Sequence, residues 1–142
     1  MPGRRLLVAF GAWTLFVWAT RVGTAFEQDD LTGLERVGRV GMAVAFTVLG
    51  VGLLLVAWRA RGRALGRAEV GLIRVAAAWT VGVWAVRAVQ ISLADHDVAF
   101  IVVHVVLAIV SVALAVLTVR ATTLHDRHGT TGHRRAEVDV TS

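Results

Sequence analysis

Four ionisable side chains stand inside long apolar stretches of the sequence, Arg21, Arg74, Arg87 and His104, and three of them, Arg21, Arg87 and His104, lie at about the same depth. A charged group at the middle of a bilayer costs about 2.5–3.5 kcal/mol on insertion scales, and less near the interface. Such residues either snorkel to the surface, find a partner, or line the path of a substrate. Thr14, Trp18 and Arg21 fall three, four and seven residues apart and so share one helix face, as do Thr80, Trp84 and Arg87. An arginine three residues after a tryptophan can lay its guanidinium over the indole, worth about 0.5–2 kcal/mol. Gln90 is the polar residue placed to partner His104. Two guanidiniums and an imidazole facing a common interior would favour an anion. The plainer reading of the two arginines is that they reach headgroups, or Asp29, Asp30, Asp95 and Asp97 in the loops. The plainer reading of His104 is a structural histidine bonded to a nearby carbonyl or threonine.

Other chemistries lack their parts. The chain has no cysteine, which excludes disulfides, thiol catalysis and cysteine-ligated metals. As a haem ligand His104 has no facing intramembrane histidine, and as a proton relay it has no intramembrane carboxylate. His125, His128 and His133 could form a weak metal site, but they lie in a polar, flexible stretch. Gly38, Gly41, Gly50 and Gly52, with Ala45, read as helix-packing positions. No strand precedes a phosphate loop there and no Lys-Ser/Thr pair follows. The expectation is therefore a non-enzymatic protein with no cofactor and no metal.

The elements that hold these residues are apolar helices. Of 142 residues 56% are hydrophobic and 18% charged, with a mean hydropathy of +0.69. Soluble domains carry about 25% charged residues, and here the charges are clustered. About 20 apolar residues cross a bilayer, and four stretches qualify, at about 6–26, 40–58, 70–93 and 98–119. The one proline, Pro2, kinks none of them. The first stretch, preceded by Arg4 and Arg5, could also be a secretory signal with Thr24-Ala25 as its cleavage site. The third stretch resembles it closely and cannot be a signal, so both read as spans of the mature protein. The expected fold class is an all-α four-helix transmembrane bundle over 1–121, followed by a polar, disordered tail over 122–142.

All fifteen basic residues are arginine, and a pI near 11.6 raises nucleic acid as a partner. Their placement argues against it. Arg4 and Arg5, then Arg59, Arg61, Arg63 and Arg67, then Arg120, Arg127, Arg134 and Arg135 flank the spans on one side, while Glu27, Asp29, Asp30, Glu35, Asp95 and Asp97 lie on the other with only Arg36 and Arg39 as basic partners. By the positive-inside rule the arginine side is cytoplasmic. A multi-pass plasma (inner) membrane protein with both termini in the cytoplasm follows.

Self-similarity organises the whole. Ala12-Trp13-Thr14, Val17-Trp18-Ala19 and Arg21 return at one constant offset as Ala78-Trp79-Thr80, Val83-Trp84-Ala85 and Arg87. Leu6 and Leu72 match at the same offset, as do Asp29 and Asp95. Four of the five tryptophans fall in register. The expectation is two tandem helical hairpins, about 5–63 and 71–128, in the same orientation and related by a pseudo-two-fold axis along the membrane normal. In the fourth span His104, Ala108, Ser111 and Ala115 form a stripe of mostly small residues that lets helices approach closely.

Two stretches together, from Leu6 through Phe10-Gly11-Ala12-Trp13-Thr14 to Ala19, and from Val103-His104 through Leu107-Ala108 and Ser111 to Leu114, resemble a family of short two-span actinobacterial membrane proteins of uncharacterised function. That family pairs an aromatic Phe-Gly-x-Trp-Ser opening with a Val-His-x-x-Leu-Ala-x-Val-Ser span. The resemblance implies a fused dimer. The histidine is kept only in the second copy, because Gly38 stands at the position offset from His104. The dominance of Arg, Ala, Val and Gly fits a GC-rich source. The resemblance carries no activity.

The leading functional expectation is an accessory or scaffold subunit, partnered by the lipid bilayer and by another membrane protein or further copies of itself. The alternative is a small anion-handling transporter or channel using Arg21, Arg87 and His104.

Overall fold

A computed structural model describes the backbone over 2–27, 33–61 and 63–139, and the side chains over 3–19, 33–61 and 63–123. The protein is all helical: α1 (Pro2–Glu27), α2 (Gly33–Arg59), α3 (Arg67–Ser92) and α4 (Val98–Asp139). Each helix covers one expected span. α1, α2 and α3 begin before the apolar stretch and α4 ends beyond it, because hydropathy marks only the apolar part of a helix, whose backbone continues until it is capped or turned. Three helical stretches are long and apolar enough to cross a membrane: α2, α3 and the Val98–Thr123 part of α4. The first expected span falls on α1, whose side chains are described only up to residue 19. Most of the expected tail over 122–142 also lies outside the described side chains, while the backbone of α4 is helical to Asp139.

The helices pack in cyclic order. α1 lies along α2, α3 along α4, and α1 along α4, whereas α2 and α3 touch over a short length. The core gathers at one end of the bundle. Leu7 and Phe10 of α1 meet Leu53, Val56 and Ala57 of α2, Ile73, Ala76 and Ala77 of α3, and Ala115 of α4. At that end the connection between α2 and α3 is clipped. Arg63 forms an ion pair with Glu69, and Glu69 also accepts the Gly66 backbone N–H at 2.8 Å. That bond is the carboxylate half of a capping box, and it lets α3 start where the basic loop ends.

The close approach of α1 and α2 rests on glycine. A Cβ on Gly11 would stand 3.0 Å from the Gly50 carbonyl oxygen, and one on Gly50 would stand 2.9 Å from Leu15. Gly50 and Gly52 are packing positions, as expected. Gly38 and Gly41 are not: a Cβ at either would meet nothing within 4 Å.

Hydroxyl side chains inside the helices bond back to their own backbone. Thr14 donates to the Phe10 carbonyl at 2.8 Å, Thr118 to Leu114 at 2.7 Å, and Thr122 to Val119 at 2.8 Å. Among the described residues no buried side-chain nitrogen or oxygen lacks a partner.

Candidate functional site

The bundle is tight at the Leu7–Ile73 end and opens at the other, where α2 and α3 part. Between them lies a cleft of about 1110 Å³. α3 lines it from Val75 to Gln90 and α2 from Glu35 to Met42, and Val17 and Trp18 of α1 form its floor. At 1.5 Å per residue these stretches are about 22 Å and 10 Å long. The two helices run antiparallel, so Glu35 and Arg39 of α2 stand at the same end as Arg87 and Gln90 of α3. The rest of the lining is apolar, with Trp18, Trp79 and Trp84 the largest groups. The cleft thus has a polar end and an aromatic depth.

An aromatic bridge forms its base. Trp18 stacks on Phe46 with ring centroids 4.1 Å apart and planes within 8°. Phe46, 1% exposed, reaches Trp79 across the seam at 6.4 Å. Gly38 and Gly82 face this space from α2 and α3, and an added Cβ on either would meet nothing within 4 Å. Side chains are missing there although helix packing does not forbid them.

The structure brings together only part of the expected polar cluster. Arg87 is half-buried in the cleft and donates from Nη1 to Gln90 Oε1 at 3.3 Å. Its guanidinium turns one helical turn onward to Gln90 rather than back over the Trp84 indole. Among the described residues no carboxylate lies within ion-pair distance of it. His104 stands elsewhere. It is buried on α4, outside the cleft lining, with Nδ1 2.8 Å from the Phe100 carbonyl oxygen and its ring 3.9 Å from the Phe100 ring. A carbonyl can only accept, so Nδ1 carries the proton. Gln90 therefore partners Arg87, while His104 bonds the carbonyl one turn before it. The side chain of Arg21 lies outside the described residues, as do Asp29 and Asp30. His125, His128 and His133 also fall outside the described side chains.

The supporting residues share faces by their spacing, and the structure turns those faces inward. Thr14, Thr80 and Trp84 are buried, and Trp18 is half-buried against Phe46. The His104, Ser111, Ala115 stripe is buried and continues through Thr118 and Thr122. One contact was not anticipated: the Trp13 indole Nε1 donates to Ser111 Oγ at 3.0 Å, joining α1 to α4. Its signal lay in the sequence, since Ser111 carries the one hydroxyl of the expected stripe and an indole N–H in an apolar span needs an acceptor.

The fold and this cleft define an all-α bundle in which, among the described residues, three helices are long and apolar enough to cross a membrane. Comparison of the chain with known protein families, with curated proteins and with solved structures gives no match.

Proposed function

We propose that this is a multi-pass plasma-membrane protein made of two tandem hairpins, with both termini cytoplasmic, acting as a non-enzymatic accessory or scaffold subunit. The observation that carries this reading is the use of its polar groups. Every buried polar side-chain atom among the described residues is bonded within the bundle itself, as in a protein whose work is to hold helices together. The outside is correspondingly apolar: Val37, Val44, Val48, Val51, Leu55 and Trp58 form an exposed stripe on α2. From Val37 to Trp58 it is about 31 Å long, and a bilayer core is about 30 Å thick. Lipid or another membrane helix can cover such a stripe. The repeated Trp-Thr-Trp-Arg pattern and the resemblance to two-span actinobacterial proteins support the fused-dimer origin.

The test is purification of tagged protein from its native host in gentle detergent, followed by native mass spectrometry. A stoichiometric partner protein is expected. A lone chain in both detergent and membranes would count decisively against the accessory role.

A second reading, the small anion-handling transporter or channel, is favoured by one observation: Arg87 lines a cavity. It gains nothing from His104, which lines none of it. Anion flux in liposomes that is abolished by Arg21→Ala with Arg87→Ala would establish it, and unchanged flux would remove it.

A further inference from the structure

We propose that the cleft between α2 and α3 is a binding site for one anionic membrane lipid, its phosphate held at Arg87 and an acyl chain laid along Trp79 and Gly82. The inference rests on the membrane-spanning reading and is independent of the accessory role. Four observations lead to it.

The first is polarity along the cleft. Charged and amide groups occupy one end, and tryptophan, valine and glycine line the remainder. A free inorganic anion has no use for that apolar wall, and a sterol-like molecule has no use for the guanidinium. An amphiphile with an anionic head matches both.

The second is charge. Glu35 stands one turn before Arg39 on the same helix, where the two can offset each other. Arg87 adds a guanidinium with five N–H donors and no carboxylate within ion-pair distance among the described residues. The described charged residues of the lining, Glu35, Arg39 and Arg87, therefore sum to one positive charge. A guanidinium binds phosphate through paired, charge-assisted hydrogen bonds.

The third is depth. On α2 the lining extends over about 10 Å and on α3 over about 22 Å, against a hydrocarbon core of about 30 Å. The cleft stops short of the full thickness. A spanning helix from a partner or a second copy would need a groove through the full thickness, and at the other end α2 and α3 are closed around Leu53, Val56 and Ile73.

The fourth is glycine placement. Where α1 meets α2, glycines are required by contact, with a Cβ on Gly11 reaching 3.0 Å from backbone oxygen. Gly38 and Gly82 have no such neighbour, and what their missing side chains leave is the width of the cleft. That volume, about 1110 Å³, lies just above the range for small-ligand pockets, about 300–1,000 Å³, as a long chain requires. Val75 and Val86 of its lining are each 59% exposed and Trp79 is 42% exposed, so the cleft opens sideways, towards the lipid.

The experiment reconstitutes the full chain in vesicles of equal parts phosphatidylglycerol and phosphatidylcholine, extracts it gently and weighs it by native mass spectrometry. Brominated-chain versions of each lipid serve as tryptophan-fluorescence quenchers in parallel. The expected result is one retained phosphatidylglycerol per chain and stronger quenching by its brominated form. Arg87→Gln should lower the preference over phosphatidylcholine about tenfold, equivalent to about 1.4 kcal/mol. Gly82→Trp should abolish retention of both lipids while leaving the unfolding temperature unchanged.

Equal retention of the two lipids by the wild type, or a preference untouched by Arg87→Gln, overturns the site while leaving the membrane reading intact. Displacement of the lipid by inorganic phosphate would reassign the cleft to a free anion. A dimer mass lost in Gly82→Trp would assign it to a second copy. Release of the chain from vesicles by alkaline carbonate would overturn the membrane reading and the site with it.

Discussion

The seam between α1 and α4 and the seam between α2 and α3 carry matching sequence patterns and end in different structures. In the first, Trp13 donates to Ser111 and the helices lie together. In the second, the matching tryptophan is Trp79, and Ala45 stands at the position that matches Ser111. Trp79 has no hydrogen-bond partner among the described residues, is 42% exposed and lines the cleft. One hydroxyl thus separates a closed seam from an open one. Two matching sequence patterns end in one seam held by a polar contact and another left open as a cleft. The glycines divide in the same way: Gly11 and Gly50 are filled by their neighbours, whereas Gly38 and Gly82 are not.

The strongest way to break this contrast is at the aromatic bridge. Phe46 stacks on Trp18 of α1 in the floor of the cleft and reaches Trp79 of α3 across the open seam. Phe46→Ala should destabilise the bundle by about 3–5 kcal/mol, the usual cost of truncating a buried phenylalanine, measured by denaturant unfolding in detergent. The two glycine classes come next, and they should differ in sign. Gly11→Ala places a methyl 3.0 Å from the Gly50 carbonyl oxygen and should cost about 1–3 kcal/mol as overpacking. Gly82→Ala meets nothing and should stabilise by up to about 1 kcal/mol through helix propensity. If both substitutions destabilise equally, the cleft is packed in solution and the contrast fails.

The helices were legible because each span is a long, mostly apolar stretch bounded by charge, and the periodicity grouped Thr14 with Trp18, Thr80 with Trp84, and His104 with Ser111 on shared faces. The division of the glycines was not legible. Gly38, Gly41, Gly50 and Gly52 look alike in sequence, and only the direction each faces tells a contact from a gap. The pairing of polar groups was only partly readable. Spacing places Arg87 one helical turn from Gln90 as readily as it places the guanidinium over Trp84, and His104 near Gln90 is a statement about depth, not about faces. Depth along a helix can be counted from the sequence, but the rotation of one helix against another is settled by packing. That packing, through Trp13 and Ser111 on one side and Phe46 on the other, put His104 and Arg87 in different places.

The hydroxyl itself can be moved. Ser111→Ala removes the acceptor of the Trp13 indole and should cost about 1 kcal/mol, the scale measured for hydrogen bonds between membrane helices. Ala45→Ser offers Trp79 the acceptor its counterpart has. It should stabilise the bundle by about 0.6 kcal/mol, the average for such bonds, and lower the accessibility of Trp79 to an aqueous or lipid-borne quencher. A serine at position 45 that leaves Trp79 as accessible as before would show that the two seams differ in more than this one group.

The smallest effect lies at the closed end of the open seam, where the Arg63–Glu69 pair and the Gly66 N–H tie α2 to the start of α3. The hydrogen bond from Arg63, and then that from the Gly66 backbone, hold the Glu69 carboxyl below its ordinary value of 4.5. A group whose pKa is lowered by folding adds stability above its unfolded pKa, and that stability is lost as the pH falls through the folded value. The wild type should therefore lose a little stability on acidification below 4.5 that Glu69→Gln never has. Arg63 is half exposed, so the difference at neutral pH should be about 0.2–1 kcal/mol, the range for surface pairs. It is read as the gap between the two unfolding curves closing with acid. A gap that stays constant down through the carboxylate range would mean that the charge of Glu69 is not what binds the loop. The closed end of the α2–α3 seam would then be held by Leu53, Val56 and Ile73 alone.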